Sequence, residues 1–165
     1  MKQSWKPGTM IYPLPAVLVS VGATEDEYNL FTVAWTGTVC TNPPMAYISV
    51  RPERHSYQMI RESGEFVVNL TTEALAKATD YCGVRSGRDV DKIQELSLTL
   101  EDSEVISVPG LKELPLTLEC KVIYKQAQDL SKLETSYKEK YYSDDIPGDY
   151  HIAYYGEIVN AYIVE

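Results

Sequence analysis

The feature that most constrains this chain is a pair of period-two alternations, separated by two prolines, between residues 30 and 51. Over residues 30–40, Phe31, Val33, Trp35, Gly37 and Val39 fall on one side of an extended backbone. Thr32, Ala34, Thr36, Thr38 and Cys40 fall on the other. Successive side chains of a strand point to opposite faces, so this pattern predicts one strand with a face stripped of bulk. A flat ligand, or another backbone, can lie closely on such a face. Pro43 and Pro44 cannot donate ladder hydrogen bonds and predict a turn. Residues 45–51 alternate again, with Ala46, Ile48 and Val50 opposite Tyr47, Ser49 and Arg51.

Pro52 closes this second strand. His55 or Ser56 is expected to cap a helix over residues 57–63, with Gly64 as its left-handed stop. A helix start presents unpaired amides and positive partial charge, and Ser56 and Arg51 can converge on it as a phosphate cradle. The same local pattern also describes an ordinary capped helix beside a surface arginine.

With 165 residues, 44% of them hydrophobic and 24% charged, the chain is expected to form a single globular domain over residues 1–165. A formal net charge of −9 argues against nucleic acid and against anionic membrane surfaces as partners. Basic residues nevertheless gather in two islands: Arg51, Arg54 and Arg61, then Arg85, Arg88 and Lys92. Such islands in an acidic chain suit a small anionic ligand, although any one of these side chains is equally well read as merely solvated. Cys40, Cys82 and Cys120 form neither a disulfide framework nor a zinc pattern; they read as small buried hydrophobes in a reducing, cytoplasmic setting. His55 and His151 are too far apart in sequence to announce a metal cluster. Lys2 and Lys6 precede an apolar run that Pro13 and Pro15 interrupt, so neither a signal peptide nor a membrane span is expected.

Elsewhere, residues 16–23 read as a buried strand, 24–29 as a polar loop and 65–71 as a strong strand. A helix capped by Thr72 is expected to run to about Cys82 and stop at Gly83, with Ala74, Leu75, Ala78 and Tyr81 or Cys82 on its buried side. The segment GVRSGRD (residues 83–89) is a basic loop without a phosphate-loop ending, followed by a possible short helix over residues 90–93. Residues 98–108 suggest two short strands or a hairpin. Residues 116–125 suggest a half-buried strand with Thr117, Glu119, Lys121 and Lys125 outward, and 131–142 a charged outer helix. Residues 151–164 suggest one or two closing strands, with a bulge or bend at Gly156. Six or seven strands with two or three helices and little βα alternation predict a mostly antiparallel β-barrel with helices over its ends.

Four segments in this order carry a resemblance: NLFTVAWTGTVCTNPPMAYISVRPERHSYQMI, GEFVVNL, ATDYCGVRSGRDVDK and GDYHIAYYGEI. The chain resembles the flavin reductase-like, flavoredoxin-type family of FMN-binding split barrels over nearly its whole length. The resemblance implies a mostly β, antiparallel split β-barrel with peripheral helices, and a homodimer with FMN in a groove near the subunit interface. It places Ala34, Trp35 and Thr36 along the flavin ring. Ser49, Arg51, His55 and Ser56 would lie around the ribityl chain and phosphate. Asp80, Tyr81, Cys82 and Gly83 would approach the ring, and Lys92 would add a second positive charge at the phosphate. The last segment matches a GDH-type motif with one extra residue between Asp149 and His151; if His151 keeps the family position, it faces the nicotinamide or acceptor side of the flavin. A flavin brings its own redox chemistry, so no catalytic triad or metal site is needed. Two functions remain open: an NAD(P)H-dependent flavin or ferric-type reductase with a small-molecule acceptor, and an electron carrier between protein partners. A store or sensor without turnover is a weaker third. No dinucleotide fingerprint is present, so NADH or NADPH as donor rests on the resemblance alone.

Overall fold

In the computed structural model, residues 6, 13–24, 27–142 and 150–163 are described. Nine strands and four α-helices are described, in the order β1 (Val17–Thr24), β2 (Glu27–Val33), β3 (Thr36–Thr41), β4 (Pro44–Val50), α1 (His55–Ser63), β5 (Glu65–Leu70), α2 (Ala76–Val84), α3 (Lys92–Leu96), β6 (Leu100–Glu101), β7 (Gly110–Leu111), β8 (Leu116–Ala127), α4 (Thr135–Tyr141) and β9 (Ile152–Ile163). Short 3-10 turns at Glu73–Leu75 and Leu130–Lys132 precede α2 and α4. Seven strands make one antiparallel sheet in the order β2-β1-β5-β8-β9-β4-β3, and β6 pairs with β7 separately.

That order forces closure. β2 and β3 lie at opposite edges of the sheet, yet only Ala34 and Trp35 separate them. A flat seven-stranded sheet is about 29 Å across at ~4.8 Å per strand, whereas three Cα steps reach about 11 Å at most. The sheet therefore curls until its edges meet, as a mostly antiparallel split barrel with the helices outside. The single strand expected over residues 30–40 is thus two strands on opposite edges, and the expected wall of five small residues does not exist.

The core fills the curl. Val17, Val19 and Val21 of β1 point inward with Ile48, Val50, Phe66, Val68, Cys120, Ile152 and Tyr154, and α1 adds Met59 and Ile60. The other face of β1 is buried too: Leu18 packs with Leu30, Cys82, Leu111 and Leu114 under α2 and the β7 segment. Burial on both faces explains why β1 reads as a continuous apolar run rather than an alternation. Gly156 is explained by close approach. A Cβ there would lie 2.7 Å from the Phe66 ring and 3.0 Å from Cys120 Cβ. The register irregularities between β8 and β9 lie beside it, at Glu119/Cys120 and Val122/Tyr124.

Several local expectations change. Neither His55 nor Ser56 caps α1, which begins at His55 behind Arg54; Gly64 does take the left-handed conformation, at φ 67°. α2 runs through Gly83 to Val84, and its buried residues are Thr79 and Cys82. Thr72 makes no side-chain cap. The expected loop over residues 24–29 contributes Glu27, Tyr28 and Asn29 to β2. Thr117 and Glu119 are buried rather than outward, because the segment around Ile106 and Val108 covers that face of the sheet. The Glu119 carboxylate accepts N–H bonds from Glu104 (2.9 Å) and Val105 (2.8 Å) and the Asn160 amide (3.1 Å). Cys82 and Cys120 are buried as expected, but Cys40 is exposed. Lys2, Gly148 and Asp149 fall outside the described residues. Among the described residues, no helix is long and apolar enough to cross a membrane.

Candidate functional site

One cleft of about 380 Å³ opens where the β2–β3 crossover, the end of β4, the start of α1 and the loop after α2 meet. β4 and α1 are consecutive, so Pro52 and the short turn after it bring Ser49 and Arg51 beside His55 and Ser56. The β2 backbone reaches the same place because the sheet curls. Of the residues expected at a ligand, Trp35, Ser49, Arg51, His55, Ser56, Cys82, Gly83, Lys92 and His151 line this cleft. Ala34, Thr36, Asp80 and Tyr81 do not. Ala34 is exposed in the crossover. The Thr36 hydroxyl donates to the Tyr47 carbonyl at 2.6 Å. Asp80 borders a neighbouring groove with Thr71 and Thr72. Tyr81 turns away, its hydroxyl donating to Glu95, with Arg85 5.8 Å over its ring.

The cleft is divided chemically. One end is apolar and aromatic: Phe31 and Val33 of β2, Val50 of β4, and Trp35, which is 63% exposed. The Ser49 amide donates to the Trp35 carbonyl at 3.0 Å and fixes the crossover. The Trp35 ring lies 6.1 Å from that of His151, tilted by 40°, so these two side chains form one lip. Gln128 holds the His151 backbone from both sides, its main-chain N–H donating to the His151 carbonyl at 2.8 Å and its side-chain Oε1 accepting from the His151 N–H at 3.4 Å.

The other end is cationic. Arg51, Arg54, Arg85, Arg88 and Lys92 line it against one acid, Glu53, among the described residues. Glu53 organises the arginines: its carboxylate lies 3.0 Å from Arg51 Nε and 3.9 Å from Arg54 Nε, and its carbonyl accepts from Arg88 at 3.2 Å. The nine-residue helix α1 starts here with no acidic side chain in its first turn, so its positive end is unopposed from within. Burial pushes the His55 pKa below the ordinary value, and the charges of Arg88 and Lys92 push it the same way.

Lys92 is more than an added charge. It is only 4% exposed, and its ammonium donates to the carbonyls of Leu30 (2.6 Å) and Cys82 (3.1 Å), tying α2 to β2 behind the cleft. Two of its three protons are therefore committed to backbone, and burial lowers its pKa. Burial likewise pushes the Cys82 thiol up to about 11, so it stays protonated at neutral pH.

Sequence reasoning missed Asn29, Phe31 and Val33, which it divided between a loop and an apolar face. It noted Arg54, Arg85 and Arg88 as basic without assigning them to a site. Gly87 had no signal at all. A Cβ there would lie 2.3 Å from Asn29 Oδ1 and 2.9 Å from the His55 ring, so only glycine lets this loop close over the start of α1. No group of three or more metal-binding side chains exists among the described residues.

An uncharacterized protein of Archaeoglobus fulgidus is 34% identical over 113 residues, covering 68% of this chain and 63% of that one. The chain spans between 53% and 64% of the length of the first curated relatives it matches. Among solved structures, the flavoredoxin of Desulfovibrio vulgaris (Miyazaki F) superposes with a TM-score of 0.79 at 28% identity, covering 100% of this chain and 78% of that one. The flavoredoxin from Methanosarcina acetivorans gives 0.76 at 29% identity, with 100% and 76% covered. Residues 9–165 match the family described as flavin reductase like domain. On that match, the chain belongs to the flavin reductase-like domain family.

Proposed function

We propose that the cleft binds FMN and that the protein is an NAD(P)H-dependent reductase of free flavin, ferric chelates or another small acceptor. The observation that carries this reading is the division of one cleft into an aromatic end and an end where five cations face a single carboxylate, which complements a ring joined to a phosphate monoester. Family membership supports it. When bound, FMN supplies the hydride and electron chemistry itself. The chain's residues do the rest. Arg51, the Ser56 hydroxyl and the first amides of α1 hold the phosphate. Phe31, Val33, Val50 and Trp35 keep water from the ring, while Ser49 and Gly83 leave room at its edges. His151, beside Trp35, orients the donor or acceptor and can hold a proton at an imidazole nitrogen on that side.

A second reading is an electron carrier between protein partners, without its own NAD(P)H turnover. Similarity to two flavoredoxins favours it, and a net charge of −9 suits docking on a basic partner. For either reading we place the protein in the cytoplasm, in keeping with three free cysteines. We also expect a homodimer. On the outer sheet face, Tyr47, Tyr155 and Tyr124 form a row of tilted rings with separations of 6.2 and 5.4 Å, and Tyr124 is 54% exposed.

Purified protein should be yellow, or should quench added FMN fluorescence at micromolar concentration; a colourless preparation that quenches nothing ends the flavin reading. Anaerobic NADH or NADPH should then bleach the flavin absorbance. No bleaching with either donor would refute the reductase and leave the carrier. Light scattering that finds only monomer would remove the dimer.

A further inference from the structure

We infer that Asn29 is a positioning residue of this cleft: its amide fixes the Ser56 hydroxyl so that the O–H proton points at the ligand, making the site select an acceptor-only phosphate. The inference rests on reading the cationic end as a phosphate site. Asn29 lies on β2, only 6% exposed, and its Nδ2 donates to Ser56 Oγ at 2.9 Å; both side chains line the cleft. A hydroxyl has one proton and two acceptor positions. Here one of the two acceptor positions is used by Asn29, and no described group accepts the Ser56 proton. That proton is left for the cleft.

The direction of the amide follows from its surroundings. Asn29 Oδ1 faces Gly87, where a Cβ would come within 2.3 Å of it. Arg88 follows Gly87 in the loop, and Lys92 borders the same two cavities as Asn29. The carbonyl end of an amide dipole is stabilised towards these cations, which turns the N–H end to Ser56. Without Asn29 the hydroxyl could rotate and offer a lone pair to the ligand instead. A phosphate dianion has no proton to give, so it gains only from the donating orientation. The free hydroxyl that ends riboflavin can donate or accept and gains little from a fixed direction.

The test is a set of dissociation constants for FMN and for riboflavin, measured by fluorescence quenching. The proteins are the wild type, Asn29→Leu, Asn29→Asp, Ser56→Ala and the double variant Asn29→Leu/Ser56→Ala, each checked by urea denaturation. Asn29→Leu should weaken FMN about tenfold, the value of one hydrogen bond to a charged group, and riboflavin by less than about twofold. Asn29→Asp matches asparagine in shape, yet should weaken FMN further, because its carboxylate accepts the Ser56 proton and reverses the bond. In the Ser56→Ala background, Asn29→Leu should add nothing. A purely structural role predicts equal losses for both ligands, a milder effect of Asn29→Asp and full additivity; any of these overturns the inference. Wild type that binds FMN no better than riboflavin overturns the phosphate reading and this inference together. A wild-type preference that survives Asn29→Leu overturns the inference alone.

Discussion

Replacing Lys92 with methionine keeps the unbranched stem and removes the ammonium. Two buried carbonyls, on Leu30 and Cys82, then lose donors at 2.6 and 3.1 Å. Hydrogen bonds to a charged group contribute about 1.5–3 kcal/mol each. Against this stands the desolvation of the cation, the same effect that lowers its pKa. The expected net loss is about 2–4 kcal/mol at pH 7, because both carbonyls stay buried without partners. With a urea m-value of about 2 kcal/mol/M, that moves the midpoint by about 1–2 M. The pH dependence has a defined sign. A lysine whose folded pKa lies below its unfolded value destabilises the fold while charged. Wild-type stability therefore gains relative to Lys92→Met as pH rises through the folded pKa towards 10.5, the ordinary value for lysine. Urea melts of both proteins between pH 7 and 10 should show a gap that widens. A loss under about 1 kcal/mol at pH 7, or a gap that narrows with pH, would refute the picture of Lys92 as a buried strut.

The remaining predictions concern the cleft and the barrel. Arg51→Ala removes a guanidinium held at 3.0 Å from Glu53 and should weaken FMN by about ten- to a hundredfold, with riboflavin much less affected; equal losses would move Arg51 out of the phosphate site. The His55 pKa, lowered by burial and by Arg88 and Lys92, should rise when FMN brings a compensating anion, as followed by NMR titration; no rise would place the phosphate elsewhere. For the free protein the sign runs the other way: His55 disfavours its charged form in the fold, so stability falls as pH drops below about 6.5, and His55→Gln should flatten that slope. Gly156→Ala would drive a methyl to 2.7 Å from Phe66 and should cost about 1–3 kcal/mol by overpacking; a neutral thermal melt would show that the barrel gives way there.

What the chain alone determined is local. Alternation and turn chemistry located strand β4, the left-handed stop at Gly64, strand β5 and the long strand β8, because each depends on neighbours within a few residues. Arg51 and Ser56 were legible as neighbours for the same reason, with Ser49 and His55 added by the family resemblance: the β4–α1 turn that gathers them is contiguous in sequence. Tertiary structure decided the rest. The break at Ala34 and Trp35 is invisible in an unbroken alternation, since period two continues through it while the two halves join opposite sheet edges. The burial of Thr117 and Glu119 depends on a covering segment elsewhere in the chain, which no pattern within β8 records. Asn29, Ser56 and Gly87 meet only because β2 pairs with β1, α1 packs on β1, and a loop without a Cβ settles over both. Contacts between residues 27 or more positions apart are fixed by sheet register and closure, and a residue's own neighbours carry no trace of them.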